Sequence, residues 1–441
     1  MTCFPATSLQ PNRAAGRGFN FIKQVHTDVI HPLQWHLNQR WRIAPVWLMG
    51  LGNCIFGFYV GLVGISLPQL LSAQHLPESQ VASITAWVFS PWCWIFLLSP
   101  ILDVRFSRRF YAIVLALIAG VSLTIGLMNL ANLPIMMAAL MTGSATSFLS
   151  ASAFGGWVSR VLSKQDETRL SSWFNIANIA GSGVSALLAG ELFHAVPMPI
   201  ASIVLGLLIV LPTAIFPWIP FFGPDQRLAR ESFVQFFREI LYLLRQRDVL
   251  VALAFFVAPS GSFALANVLT GLGEDYHAPM RLVSLVGGGG VILAGVVGSL
   301  IYPVFARRIA LRPLYLLIGI TGAVFTLIVL TLPKTPSVFA LALIGETTFQ
   351  ALAVTGAFAI VFETIGQNNP FSATTFCVML SALNISITYM VGVDGQAYDW
   401  HGLVGMYLTD AGLGIIACAL LGLVLFAASR ARPRLRTKMA V

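Results

Sequence analysis

FFGPDQRLARESFVQFFREILYLLRQR, residues 221–247, interrupts a nearly continuous series of apolar stretches and divides the chain into two halves of similar make-up. Phe233, Phe236, Phe237, Ile240, Leu241 and Leu244 recur in it at helical spacing with Arg and Glu between them. The pattern predicts an amphipathic helix from Arg227 to Arg247 that lies on a membrane surface and tethers the halves.

On either side lie stretches of membrane length. A bilayer-crossing helix needs roughly 20 apolar residues, and runs of that kind begin near Pro45, Val81, Phe110, Pro134, Ser171, Met198, Val249, Leu282, Pro313, Val338, Phe371 and Gly402. They predict about twelve spans, six in each half. The chain of 441 residues is 57% hydrophobic and 10% charged, with a mean hydropathy of +0.81. Continuous runs rich in Leu, Ala, Gly and Ile differ from the alternating pattern of a membrane barrel. The expected fold is therefore an all-α integral membrane protein. Its divisions are an amino-terminal tail (1–43), a six-helix bundle (44–220), the linker (221–247), a second six-helix bundle (248–428) and a basic tail (429–441).

The net charge of +9 would suggest nucleic acid in a soluble protein, but placement decides. All of the 26 basic residues except Arg281 and Lys334 fall in the two tails, the linker, or the loops near Leu102, Lys164 and Arg307. The positive-inside rule then puts both termini in the cytoplasm. The basic clusters serve topology and attraction to anionic headgroups, and no nucleic-acid partner is expected. The tail lacks an apolar core followed by a small-residue cleavage site, so no signal peptide is read in it. Cys3, Cys54, Cys93, Cys377 and Cys418 are scattered; no disulfide framework, metal site or cofactor is implied. Four histidines, His75, His194, His277 and His401, fall at outer ends of spans.

The halves repeat one another. His75-Leu76-Pro77 recurs as His277-Ala278-Pro279, Phe106-Ser107-Arg108-Arg109 as Phe305-Ala306-Arg307-Arg308, and Gly143-Ser144-Ala145-Thr146 as Gly345-Glu346-Thr347-Thr348. Duplicated bundles with a site between them near the midplane suit alternating access.

With its six-plus-six plan, long central segment and the loop Ser99-Pro100-Ile101-Leu102-Asp103-Val104-Arg105-Phe106-Ser107-Arg108-Arg109, the chain resembles the major facilitator superfamily over roughly residues 44 to 428. The resemblance implies a cytoplasmic gating motif at Asp103, Arg105, Arg108 and Arg109. The usual glycine of that motif is replaced by Ser99. The Pro-Leu-Asp run with its Arg pair looks closer to the muropeptide-permease branch than to sugar porters, although the fourth span carries none of that branch's acidic residues. It also lacks an Arg in the fourth span and the glycine-proline pattern of drug antiporters in the fifth, which favours import over efflux.

An ionisable side chain near the bilayer centre costs about 2.5–3.5 kcal/mol on insertion scales, so it faces a cavity or a partner. Glu346 and Asp410 are the proton-coupling candidates. The resemblance implies that the first and fourth spans of each half line the central cavity, which favours Glu346. Polar stripes supply the substrate-binding candidates: Asn53 and Tyr59 in the first span, Ser144 and Ser147 in the fourth, Asn175 and Asn178 in the fifth. Ser260 and Asn267 lie in the seventh around Pro259, whose ring frees a backbone carbonyl. Gln350 follows Glu346 by one turn, Asn384 lies in the eleventh span, and Arg281 stands at an outer mouth near Glu274 and Asp275, placed to attract an anionic group. Such groups also stitch membrane helices together.

The expected function is proton-coupled uptake of a small polar or anionic metabolite by a secondary transporter, working as a monomer in the lipid bilayer of a bacterial inner membrane. An exporter or lipid flippase of the same fold is the alternative, which the Trp87, Trp92, Trp94 cluster permits. A membrane-embedded enzyme would need a clustered nucleophile, base or metal set near one interface, and the short loops supply none.

Overall fold

The computed structural model describes residues 44–104, 106–220, 241, 245–366 and 369–438. The amino-terminal tail, nearly all of the predicted amphipathic helix and Arg105 lie outside these residues. Two compact units separate. In the smaller, the Ala44 N–H donates to the Trp218 carbonyl at 3.2 Å; the larger begins at Pro45 and holds the helices.

The described residues are helical, with no strand among them. In the first half the long helices are α1 (Val46–Ala73), α2 (Gln80–Leu97), α3 (Arg108–Met128), α4 (Leu133–Val161), α5 (Glu167–Ala195) and α6 (Met198–Trp218). In the second half, α7 (Arg247–Val257) is short, and α8 (Met280–Ala306), α9 (Leu311–Thr331) and α10 (Pro336–Ile365) are full spans. The last apolar stretch runs as one 56-residue helix, Ser372–Ala427, but non-helical angles at His401 and Gly402 fold it back. Its legs, 372–400 and 403–427, are α11 and α12.

Ten helices among the described residues are long and apolar enough to cross a membrane, against the twelve read from the sequence. The fold-back merges two of the twelve into one. The stretch after Arg247 falls short because Pro259 breaks it. Ala258, forced out of the helical region by the following proline, is extended. The ring removes the N–H that would reach the Phe255 carbonyl, and the Ser260 hydroxyl donates to that carbonyl instead at 3.1 Å. A second break comes at Phe263, whose φ is +42°; its carbonyl accepts from Gln350 Nε2 of α10 at 3.2 Å.

The repeat seen in the sequence is also a repeat of conformation. His75 and His277 both take left-handed backbone, with φ of +62° and +53°. The N–H of His75 reaches Ser72 O and that of His277 reaches Glu274 O, both at 2.9 Å; the next residues, Leu76 and Ala278, close back on Leu71 O and Gly273 O. In each case a proline, Pro77 or Pro279, then starts the next helix. This is a helix stop followed at once by a helix start. The end of the fold carrying these turns is called the turn end, and the opposite one, with Arg108, Arg109, Arg307 and Arg308, the basic end.

The halves meet along α4, α5, α8, α10 and α11. A Cβ on Gly155 or Gly156 of α4 would overlap Phe376 or Ala373 of α11. Phe174 of α5 meets Phe358 and Phe362 of α10 edge-on, at centroid distances of 5.7 and 5.3 Å.

Candidate functional site

The candidate residues fall into three groups. The first joins the halves at the basic end. Asp103 is buried in the loop before α3, and its Oδ1 accepts from Arg108 Nε at 2.6 Å. Its Oδ2 accepts from the backbone N–H and the hydroxyl of Thr374, at 2.8 and 2.7 Å, and the Ala373 N–H reaches Oδ1 at 3.3 Å. A carboxylate from the first half thus caps the amino terminus of α11 in the second, where orphan N–H groups and the helix dipole favour negative charge. Arg108 Nη2 donates to the Pro370 carbonyl, and the Ser372 hydroxyl to Gly156 O at 2.7 Å. Arg109, next in the chain, is half-buried.

The second group is polar stitching. Asn53 Nδ2 donates to Phe174 O at 3.1 Å and the Tyr59 hydroxyl to Leu140 O at 2.5 Å, tying α1 to α5 and α4. Asn175 Nδ2 crosses between the halves, lying 2.9 Å from Ser299 Oγ and 3.1 Å from both Ala351 O and Thr355 Oγ1. Ser147 and Asn384 bond back within their own helices, to Ser144 O and Leu380 O. Ser144 Oγ is buried with no partner among the described residues. Asn178 is half-buried, its carbonyl against Gly57, while Asn267 and Arg281 are exposed. Arg281 does not pair with Asp275, whose Oδ2 accepts from the Tyr398 hydroxyl at 2.8 Å.

Near Ser144 is an aromatic cluster. Trp92 packs on Phe89, Phe56 and Phe148 at centroid distances of 4.3, 4.9 and 6.3 Å, with its indole N–H buried and unpartnered among the described residues.

The third group is acidic and lies in the second half, toward the turn end. Glu346 is fully buried; its Oε1 accepts from the Thr326 hydroxyl of α9 at 2.5 Å, and its Oε2 has no partner among the described residues. It faces Asp394 and Asp410 of the α11–α12 hairpin, so its side chain points into the second half. The face of α10 that meets the first half is instead the one carrying Ala351 and Thr355. Asp394, absent from the sequence-based candidates, is fully buried with neither carboxyl oxygen partnered by a donor among the described residues. Its carboxyl lies within hydrogen-bonding reach of Asp410. Beside them the Tyr276 and Tyr407 hydroxyls pair at 2.7 Å. Arg108–Asp103, Arg169–Asp166 and Arg312–Glu363 pair among the described residues, and none of these pairs reaches the three acids. No group of His, Cys, Asp or Glu among the described residues is arranged to hold a metal ion.

Residues 49–388 match the family model described as Major Facilitator Superfamily. No curated protein matches the sequence. Among solved structures, the chain resembles the human organic anion transporter MFSD10 (18% identity, TM-score 0.62, covering 86% of this chain and 99% of that one). It also resembles the E. coli fucose:proton symporter FucP (15%, 0.63, 87% and 99%). A bacterial homologue of the iron transporter ferroportin, in an outward-facing state, is similar as well (15%, 0.59, 86% and 100%). These likenesses are of fold.

Proposed function

Since this chain belongs to the Major Facilitator Superfamily and is a multi-pass secondary transporter rather than an enzyme, we propose that it couples uptake of a small polar or anionic metabolite to protons by rocking-switch alternating access. The two moving bodies are residues 44–220 and 248–428, with both termini in the cytoplasm of a bacterial cell and the protein acting as a monomer in its inner membrane.

The observation that carries the coupling is Glu346, buried in a span with one carboxyl oxygen unpartnered and no cation paired to it among the described residues. Carboxyl groups without a counter-ion persist in a low-dielectric interior by taking up protons, and a group that must gain and lose a proton can be driven by a gradient. Alternating access is supported by the Asp103 clasp, which holds the halves at the basic end through hydrogen bonds that can break without unfolding either half. Toward the turn end, the exposed guanidinium of Arg281 supports an anionic substrate group.

The test is transport in proteoliposomes with a metabolite panel. Glu346→Gln abolishes uptake driven by a pH gradient and leaves counterflow exchange. Undiminished gradient-driven uptake by that variant would remove the coupling role.

A further inference from the structure

The acidic group contains more than the candidate on which the proposed coupling rests. Asp394 and Asp410 sit at nearly equal distances either side of the fold-back at His401 and Gly402, so the hairpin brings them to one level. The Asp394 side chain is fully buried, and both of its oxygens lack a donor among the described residues. Its carboxyl neighbour Asp410 is likewise an acceptor when ionised, so neither can satisfy the other unless one of them carries a hydrogen.

We propose that Asp394 and Asp410 form a carboxyl dyad that binds one proton between them, beside Glu346. The proton comes from bulk water: an O–H bond forms on one carboxyl and donates to an oxygen of the other, and release returns the proton to water. This adds a second proton site beside Glu346, the proton carrier of the proposed function. Glu346 differs from the dyad in having a donor of its own, the Thr326 hydroxyl at 2.5 Å.

Among the described residues, the titratable groups around the dyad are Glu346 from α10, Tyr276 from the segment before α8, and Tyr407 from α12 itself. None is basic. The Tyr276–Tyr407 hydroxyl pair lies against this group, and the Asp275–Tyr398 bond lies nearer the turn end. Together they form a polar line leading from that end toward the buried acids. A divalent cation is a poor fit, since the acids are not arranged as ligands.

The assignment rests on the transporter reading, but its test needs no substrate. Infrared difference spectra of the purified, full-length protein between acid and alkaline buffer report protonated carboxyl groups. The dyad predicts a carboxylic-acid band that shifts on incorporation of 13C-aspartate, stays put with 13C-glutamate, and is lost in Asp394→Asn and in Asp410→Asn while kept in Glu346→Gln. Survival of the aspartate-sensitive band in folded Asp394→Asn would overturn the dyad, as would absence of any aspartate-sensitive band; a separate band that shifts with labelled glutamate belongs to Glu346 and the other glutamates. A band abolished by sodium chloride but not by choline chloride would make it an alkali-cation site instead, which also overturns the proposal. The labelling arm uses wild-type protein, so it stands even if a variant fails to fold. A dyad that titrates in protein showing no gradient-driven uptake would leave this inference intact and sink the coupling.

Discussion

Asp103 shows what one side chain does at the boundary between the halves. It accepts from Arg108, from the Thr374 hydroxyl and from backbone N–H groups at the start of α11, so neutralising it removes charge-assisted bonds worth about 1.5–3 kcal/mol each. A change of that size moves a two-state equilibrium about tenfold or more. Cys377, buried one turn beyond Thr374, reports on the clasp. In protein whose other cysteines are replaced, Asp103→Asn is expected to raise the rate of Cys377 labelling by a maleimide added at the basic end at least about tenfold. An unchanged rate would mean the clasp does not hold that end shut. Gly156 makes the complementary case: a methyl there would overlap Ala373, so Gly156→Ala is expected to speed the same labelling, and slower labelling would contradict the close approach.

Much at this scale was legible and some was not. The loop from Ser99 to Arg109 drew attention to Asp103 and Arg108, which pair with one another; the contact of Asp103 with α11 had no signal of its own in the sequence. Asn53, Tyr59 and Asn175 were legible only as polar residues inside spans. The sequence cannot say whether such a group lines a cavity or ties two helices, because that depends on which carbonyl of another helix lies opposite. Asp394 was missed for a related reason. Set among Gly392, Gly395, Asp399 and Trp400, it reads as the polar end of a span, and only the hairpin brings it to Asp410.

Elements were read better than their breaks. Apolar length located the helices, because a span must satisfy its own backbone. The same rule explains the repair at Pro259, where the Ser260 hydroxyl takes the carbonyl that the proline orphans. Ser260→Ala leaves Phe255 O without that donor and is expected to lower stability by about 1–3 kcal/mol. Pro259→Ala supplies a backbone N–H in its place, so the double variant should recover part of the loss in detergent thermal denaturation. Additive losses in the double-mutant cycle would show that the hydroxyl does not serve this carbonyl. The second break, at Phe263, carried no comparable signal, since a phenylalanine with positive φ is set by its surroundings rather than by local preference.

For the whole molecule, the duplicated turn at His75 and His277 and the one clasp at the basic end describe two similar halves joined by separable contacts. The clasp itself is not duplicated: the repeat that aligns Phe106 with Phe305 places Tyr302 opposite Asp103, so the second half offers no carboxylate there. That asymmetry gives the basic end a latch of its own. The central claim, that proton binding tips a rocking pair of halves, is tested most directly by pulsed electron paramagnetic resonance distances in protein reconstituted in lipid with native cysteines removed. One pair of spin labels, at Gln165→Cys and Arg308→Cys, spans the basic end, and another, at Gln74→Cys and Lys334→Cys, spans the turn end; all four positions are exposed. Lowering the pH is predicted to lengthen the basic-end distance and shorten the turn-end distance together, whereas distances that ignore pH, or change in the same direction at both ends, would contradict the account.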